Sequence, residues 1–191
     1  MDVTKLQTVT DCLETAKSLN QKSRSDEAVA HYEQALQLEP HLASAAHHLK
    51  QKNYDLAKQH YQTLTQLAPE QPLAHSRLGQ IAKIQNRLPD AIVAYTRAIQ
   101  LNPQDPGPYQ TLAVIQFNQK DLSAAKSNHE KALELGSKAP LVHVQLGKIA
   151  RQENRIEDAI AHCRNAIVLN PKNINLHIDY GELHAKQKQF A

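Results

Sequence analysis

The stretch from Arg77 to Pro103 decides the fold, and it reads RLGQIAKIQNRLPDAIVAYTRAIQLNP. It has a Leu-Gly pair near its start, an alanine at position 91, a tyrosine four residues later and a Leu-x-Pro sequence at its end. Glycine and alanine let two antiparallel helices approach closely, and leucine and tyrosine fill the space beside them. The final proline stops the second helix, because it forces the residue before it out of the helical region. The stretch therefore predicts a pair of packed helices, called helix A and helix B below.

The same pattern recurs along the chain at one constant spacing from Ala57 to Ala159. A tyrosine, histidine or cysteine follows four residues after each recurring alanine, and a second small or apolar residue follows three residues later. Only the first interval, from Ala28 to Ala57, is shorter. The recurring alanines are Ala28, Ala57, Ala91, Ala125 and Ala159.

A period of about 34 residues with these fixed positions resembles the tetratricopeptide repeat, a helix–turn–helix unit. The resemblance implies an all-α fold, a right-handed α-solenoid of about five stacked repeats plus a partial sixth. The matching residues are packing residues, so they predict the fold and leave the function open. We expect one solenoid domain over residues 1–191, with repeats at about 9–42, 43–71 (shortened), 72–105, 106–139, 140–173 and 174–191 (partial).

Composition agrees with a helical, soluble protein. Glycine is scarce at 5 residues and aromatic residues make up 4% of the chain, so strands have little support. The net charge of +3 is too small and too dispersed to predict nucleic-acid binding. The start of the chain lacks an export signal, and no apolar stretch approaches the roughly 20 residues that span a bilayer. We expect a cytoplasmic protein without membrane insertion.

The register of the repeats predicts eleven helices. Proline at position 89 falls in the first turn of a helix B, where a missing N–H costs little. The predicted helices cover residues 3–20, 24–38, 42–50, 53–67, 72–85, 87–101, 106–118, 121–135, 140–152, 155–169 and 174–187.

The interval from Pro40 to Pro69 is five residues shorter than the later ones. Aligning Leu49 with Leu78 places the gap after Lys50 and removes about one and a half turns from the end of helix A. Repeat 2 would then supply few groove residues. The alternative is that residues 41–53 are partly unwound.

The end of the chain predicts a second departure from the pattern. Phe190 occupies the position of Leu88 and Leu122, at the turn between helices A and B, and the sequence stops at Ala191. A final helix A would expose apolar surface, whereas repeat arrays usually end in a polar cap. We expect a fragment of a longer protein, and a homodimer through the uncovered helix is the alternative.

Eleven histidines raise the question of a metal site. His75, His143 and His177 fall at one repeat position, but neighbouring A helices lie about 9–10 Å apart, which makes shared ligation awkward. No zinc, phosphate-loop or protease motif is present, and Cys163 replaces a packing tyrosine. We therefore predict no metal, no cofactor, no catalytic residue and a buried thiol at Cys163, and Cys12 is interpreted in the same way.

The concave face of helix A is the expected binding surface, because the resemblance implies ligand contacts there. Its residues are mostly long and polar above an apolar floor, which suits an extended or helical peptide. A basic stripe over that floor would favour an acidic peptide with an apolar anchor. The predicted groove residues are Gln80, Lys83, Gln110, Val114, Phe117, Val144, Lys148 and Arg151.

Two specialisations of the family are not matched. Arrays that clamp acidic chaperone tails use lysine and asparagine on successive A helices, but Ser76 and Gln80 stand at one such pair of positions here. Glycosyltransferase arrays carry an asparagine ladder, but Arg77, Thr111 and Gln145 stand at those positions.

The sequence thus predicts a non-catalytic module that binds a protein or peptide partner, as the N-terminal part of a longer protein. One alternative is the accessory region of a bacterial glycosyl-, sulfo- or methyltransferase with its catalytic domain beyond residue 191. The other is a self-assembling homo-oligomeric scaffold.

Overall fold

The computed structural model describes the backbone of residues 25–190 and the side chains of residues 37–188. All regular structure within these residues is helical, which confirms the predicted all-α class. The described residues fall into two compact units, divided between Asn102 and Pro103, and each is described by itself. The helices of the first unit are α1 (Ser25–Lys50), α2 (Tyr54–Leu67), α3 (Pro72–Ile84) and α4 (Leu88–Leu101). Those of the second are α5 (Pro106–Asn118), α6 (Leu122–Glu134), α7 (Pro140–Gln152), α8 (Ile156–Leu169) and α9 (Ile174–Phe190).

Small residues set how closely helices A and B approach. A Cβ atom built on Gly79 would lie 3.0 Å from the ring of Tyr95, so the ring packs directly on the backbone of α3. Ala91 and Ala125 are fully buried. A larger side chain at these points would separate the helices, which is why the small residues recur.

The turns between helices A and B share one backbone geometry. Lys52, Asn86, Lys120 and Asn154 all have positive φ, between 57° and 68°. In each turn, the N–H of the following residue donates to a carbonyl five residues back, as Asn53 does to His48 at 2.9 Å. This closes the last turn of each helix A. The four positions are evenly spaced, one repeat apart, so the period is already regular at Lys52.

The predicted break near Pro40 is wrong, because α1 is one continuous helix through it. Leu38, Leu42 and Ala45 are all buried, at spacings of four and three residues, so one apolar stripe crosses the proline. They pack with Tyr61 of α2 in one core cluster. This burial outweighs the hydrogen bond that a proline removes from a helix interior.

The missing residues therefore correspond to the turn that precedes helix A, and not to the end of helix A. Elsewhere in the first unit a turn runs from Ala68 to Gln71, between α2 and α3, whereas helix B of repeat 1 continues directly into helix A of repeat 2. Residues 41–50 are helical, so the predicted unwinding there and the predicted loss of groove-side helix are both wrong.

The other helix ends follow the sequence. Pro69 and Pro171 lie just beyond α2 and α8, and Pro89 lies in the first turn of α4, as predicted. Where the Leu-x-Pro pattern is missing, α6 ends at Glu134, and Gly136 follows with φ 81°. The N–H of Ser137 then donates to Ala132 at 2.9 Å, which replaces the proline as the stop signal.

The last described helix differs from the prediction at its end. The residue equivalent to the positive-φ position, Lys188, is still helical, and α9 continues to Phe190. The predicted turn at Phe190 is therefore wrong. Leu176 and Leu183 of α9 are buried, while Ile174 and Ile178 are 72% and 53% exposed. Within the described residues, none of the helices has the length and apolar character that crossing a bilayer requires.

Candidate binding groove

The second unit contains a small cavity between its last three helices. Its volume is about 40 Å³. Helices α7 and α9 supply most of its wall, and α8 supplies its base. The lining residues are His143, Val144, Gly147, Lys148, Arg151, Ala159, Cys163, Leu176, Asp179 and Leu183.

Three of the eight predicted groove residues meet at this cavity. Val144 is half-buried and supplies apolar surface to the cavity. Lys148 and Arg151 are exposed on the same face of α7. The Arg151 guanidinium lies 3.8 Å from the Glu182 carboxylate of α9, with both side chains more than half exposed. Such a pair is weak and exchangeable. Among the described residues Lys148 has no ion pair.

The other second-unit residues of the predicted groove lie on α5. Val114 and Phe117 are half-buried. The Gln110 amide donates to the Ser137 hydroxyl at 2.8 Å, so this side chain is held against the turn after α6. No local sequence pattern marks that bond, because Ser137 lies 27 residues further along the chain, beyond α6.

The remaining two predicted residues belong to the first unit. The Gln80 side chain accepts a hydrogen bond from the Arg77 guanidinium at 2.9 Å, one turn earlier on α3. Lys83 is exposed in the last turn of α3.

The first unit has a larger cavity that the sequence analysis did not identify. Its volume is about 690 Å³, and α2, α3 and α4 line it. Leu78 and Ala82 supply apolar surface, whereas Lys58, Arg87 and Asp90 supply charge. Its residues come from both helices of a repeat, so the helix-A pattern alone could not mark them.

Cys163 connects two walls of the second-unit cavity. Its thiol donates to the Leu176 carbonyl at 3.2 Å. Burial, and then the nearby Asp179 carboxylate, raise the pKa of the Cys163 thiol, which favours its neutral form. The prediction of a buried thiol is confirmed for Cys163, whereas Cys12 lies outside the described residues.

The histidines at the shared helix-A position form two groups. His75 and His177 place Nε2 at 3.1 and 3.0 Å from the carbonyls of Pro69 and Pro171. His143 instead has a histidine partner on the next helix, and so does His41 at the equivalent position of α1. The helix-A pattern does not predict these pairs, although their spacing of 19 residues recurs in the sequence.

Comparison with known solved structures shows a shared fold. A crystal structure of MamA protein has a TM-score of 0.70 at 16% identity, covering 79% of this chain and 82% of that one. The APC/C hetero-tetramer Cut9-Hcn1 gives 0.66 at 20% identity, covering 93% of this chain and 36% of that one. The first TPR of Spaghetti (RPAP3) bound to HSP90 peptide SRMEEVD gives 0.56 at 19%, covering 61% and 93%.

Sequence comparison adds the family. No curated protein sequence matches the chain. One family model described as tetratricopeptide repeat matches residues 42–106, and a second with the same description matches residues 12–42 and 142–173. Together they cover more than half of the chain, at the period that its alanines define. The chain belongs to the tetratricopeptide repeat family.

Proposed function

We propose that this chain is a non-catalytic module that binds an acidic peptide with an apolar anchor at the cavity between α7 and α9. The carrying observation is the convergence of Val144, Lys148 and Arg151 with Leu176 and Leu183 around one small cavity. The apolar walls suit one aliphatic side chain, and the exposed cations suit neighbouring carboxylates. The structural neighbour bound to the peptide SRMEEVD supports a peptide as the type of ligand.

The acidic residues of α9 set the orientation of such a peptide. Asp179 lines the cavity and Glu182 pairs with Arg151 at 3.8 Å, so the α9 side repels a carboxylate. Lys148 on α7 is the cation left for the ligand. A ligand carboxylate therefore lies over α7, and its apolar side chain points between the two helices.

The test is selection of binding peptides from a random library displayed on phage, with the 191-residue chain as bait. We expect enriched peptides that combine acidic residues with one aliphatic residue, and affinities that fall with rising salt. Lys148→Glu/Arg151→Glu should weaken binding at least tenfold.

The matched control is Lys138→Glu/Lys172→Glu, which makes the same change in charge at exposed positions away from the cavity. This control should retain binding. A smaller loss of affinity is expected from the change in net charge alone. Equal affinities for the two double variants, both folded by circular dichroism, would exclude this site.

A further inference from the structure

Two pairs of histidines face each other across a helix A and its helix B. Nδ1 of His41 on α1 lies 3.1 Å from Nδ1 of His60 on α2. Nδ1 of His143 on α7 lies 3.2 Å from Nδ1 of His162 on α8. All four side chains are half-buried, so each pair is held by packing and still reached by solvent.

The two pairs occupy the same positions of the repeat. His41 and His143, and likewise His60 and His162, are separated by three whole repeat periods. The intervening repeats differ at these positions. Repeat 3 has a histidine at 75 and an alanine at 94, and repeat 4 has a tyrosine at 109 and an asparagine at 128.

The nitrogen separations match those of two ligands on one metal ion. Zinc binds imidazole nitrogen at roughly 2.0–2.1 Å, so two tetrahedral ligands have nitrogens about 3.3 Å apart. The rings of each pair are tilted by 48° and 37°, with centroids 5.4 and 5.5 Å apart. Small rotations of the rings would therefore direct both nitrogens at one point.

We propose that the His41/His60 and His143/His162 pairs are two chelating sites for a divalent transition metal ion of the class that prefers imidazole, such as Ni²⁺, Zn²⁺ or Cu²⁺. Within the described residues no third histidine, cysteine or acidic residue completes either site, so water supplies the other ligands. Each ion links helix A to helix B and binds only the folded repeat, which raises the stability of that repeat.

The proton balance of a neutral histidine pair favours metal binding near neutral pH. In a neutral pair without metal, one Nδ1–H donates to the other Nδ1. Metal binding moves that proton to Nε2 of the same ring and releases none. Burial, and then repulsion from His41 and His48, lower the pKa of His60. Burial lowers the pKa of His143 as well.

His162 has a similar but more mixed environment. Burial is the main cause of its lowered pKa, and His143 and Arg155 act in the same direction. Asp158 and Glu130 oppose this shift. Both sites should lose metal in acid, because a protonated imidazole nitrogen cannot bind a metal ion.

The test is calorimetric titration of the metal-free chain with NiCl₂ and with ZnCl₂ at about pH 7.5, above the ordinary pKa of histidine. We expect about two ions bound per chain and a rise in Tm on the order of 5 °C at saturating metal, reversed by EDTA. His60→Asn/His162→Asn should lose both sites. His75→Asn is the matched control, because it removes a histidine at the same helix-A position that contacts a carbonyl, and it should bind as the wild type.

A gain-of-site variant keeps the test decisive if the double variant does not fold. Ala94→His places a histidine opposite His75, at the position that His60 and His162 occupy in their repeats, and it should add a third site. Unchanged stoichiometry in Ala94→His, or unchanged binding in a folded His60→Asn/His162→Asn chain, would overturn the proposal.

Discussion

At the scale of single residues, the recurring small side chains fix the distance between helices. Ala125 is fully buried where α6 crosses its partner, and the tyrosine position four residues later holds the fully buried His129. Neither nitrogen of His129 has a hydrogen-bond partner among the described residues. These two neighbouring positions therefore allow separate tests of packing and of protonation.

Ala125→Leu should lower the free energy of unfolding by on the order of 1–3 kcal/mol, because the crossing has no room for the added methylenes. The matched control is Ser127→Leu, an exposed position of the same helix, which should change stability little. Urea unfolding followed by circular dichroism measures both variants, and equal midpoints would contradict the assigned packing.

Burial lowers the pKa of His129 from 6.5 to about 4, so it is neutral in the folded protein near neutral pH. The unfolded chain takes up this proton first, so His129 makes stability fall as the pH drops from about 6.5 to about 4. His129→Tyr restores the residue found at this position in repeats 2 and 3. In repeat 2, Tyr61 packs in one core cluster with Ala45. Ala113 occupies the position of Ala45 in repeat 4, so a tyrosine at position 129 should fit. We expect a smaller loss of Tm on acidification in the variant, and an identical pH dependence in both chains would contradict the assignment.

At the scale of helices, the continuous α1 is the main difference from the prediction. It combines helix B of repeat 1 with helix A of repeat 2, and Pro40 lies in its interior. Its buried stripe, from Leu38 through Ala45, packs in one core cluster with residues of α2. The proline is thus a local cost that the packing offsets.

Pro40→Ala should raise the stability of the first unit by on the order of 1–3 kcal/mol, because it restores a helical N–H and removes a steric clash. Pro69→Ala is the matched control. Pro69 lies in the turn between α2 and α3, and its carbonyl, which His75 contacts, remains after substitution. It should not stabilise the chain. A Pro40→Ala chain that melts at or below the wild-type temperature would argue against a continuous α1.

The helix pattern of the sequence was sufficient to predict the fold, but not to predict that α1 continues through Pro40. The constant repeat period and the recurring small residues predicted every helix from Tyr54 to Leu169 within two residues. Pro40 predicted a helix end because prolines follow helix ends elsewhere in the chain. Only the burial of Leu42 and Ala45 shows that the helix continues past it. The histidine pairs escaped for a related reason. The recurring position on helix A does not reveal them, because each contact runs from helix A to helix B.

At the scale of the whole chain, stability in a repeat protein is carried by contacts between neighbouring helices. A shared helix couples repeats 1 and 2 more tightly than a turn does. A second repeat without the end of its helix A would predict the reverse, with repeat 1 opening separately. The described helices of repeat 2 share one buried core with α3.

Hydrogen exchange should therefore show amides of residues 27–38 and 42–50 losing protection together, at one rate for the whole of α1. Amides of α4 and α6 provide the internal reference for helices bounded by turns at both ends. Early exchange of residues 27–38 while 42–50 remain protected would show that the chain opens at Pro40.

The four positive-φ turns also determine how such a gene can be rearranged. A crossover between equivalent positions of two of these turns would remove or add whole repeats without changing the register of their neighbours. A cut at Pro40, which looks like a repeat boundary in the sequence, would divide a single helix. We therefore expect whole repeats to be gained or lost more readily at the turns from Lys52 onward than at Pro40.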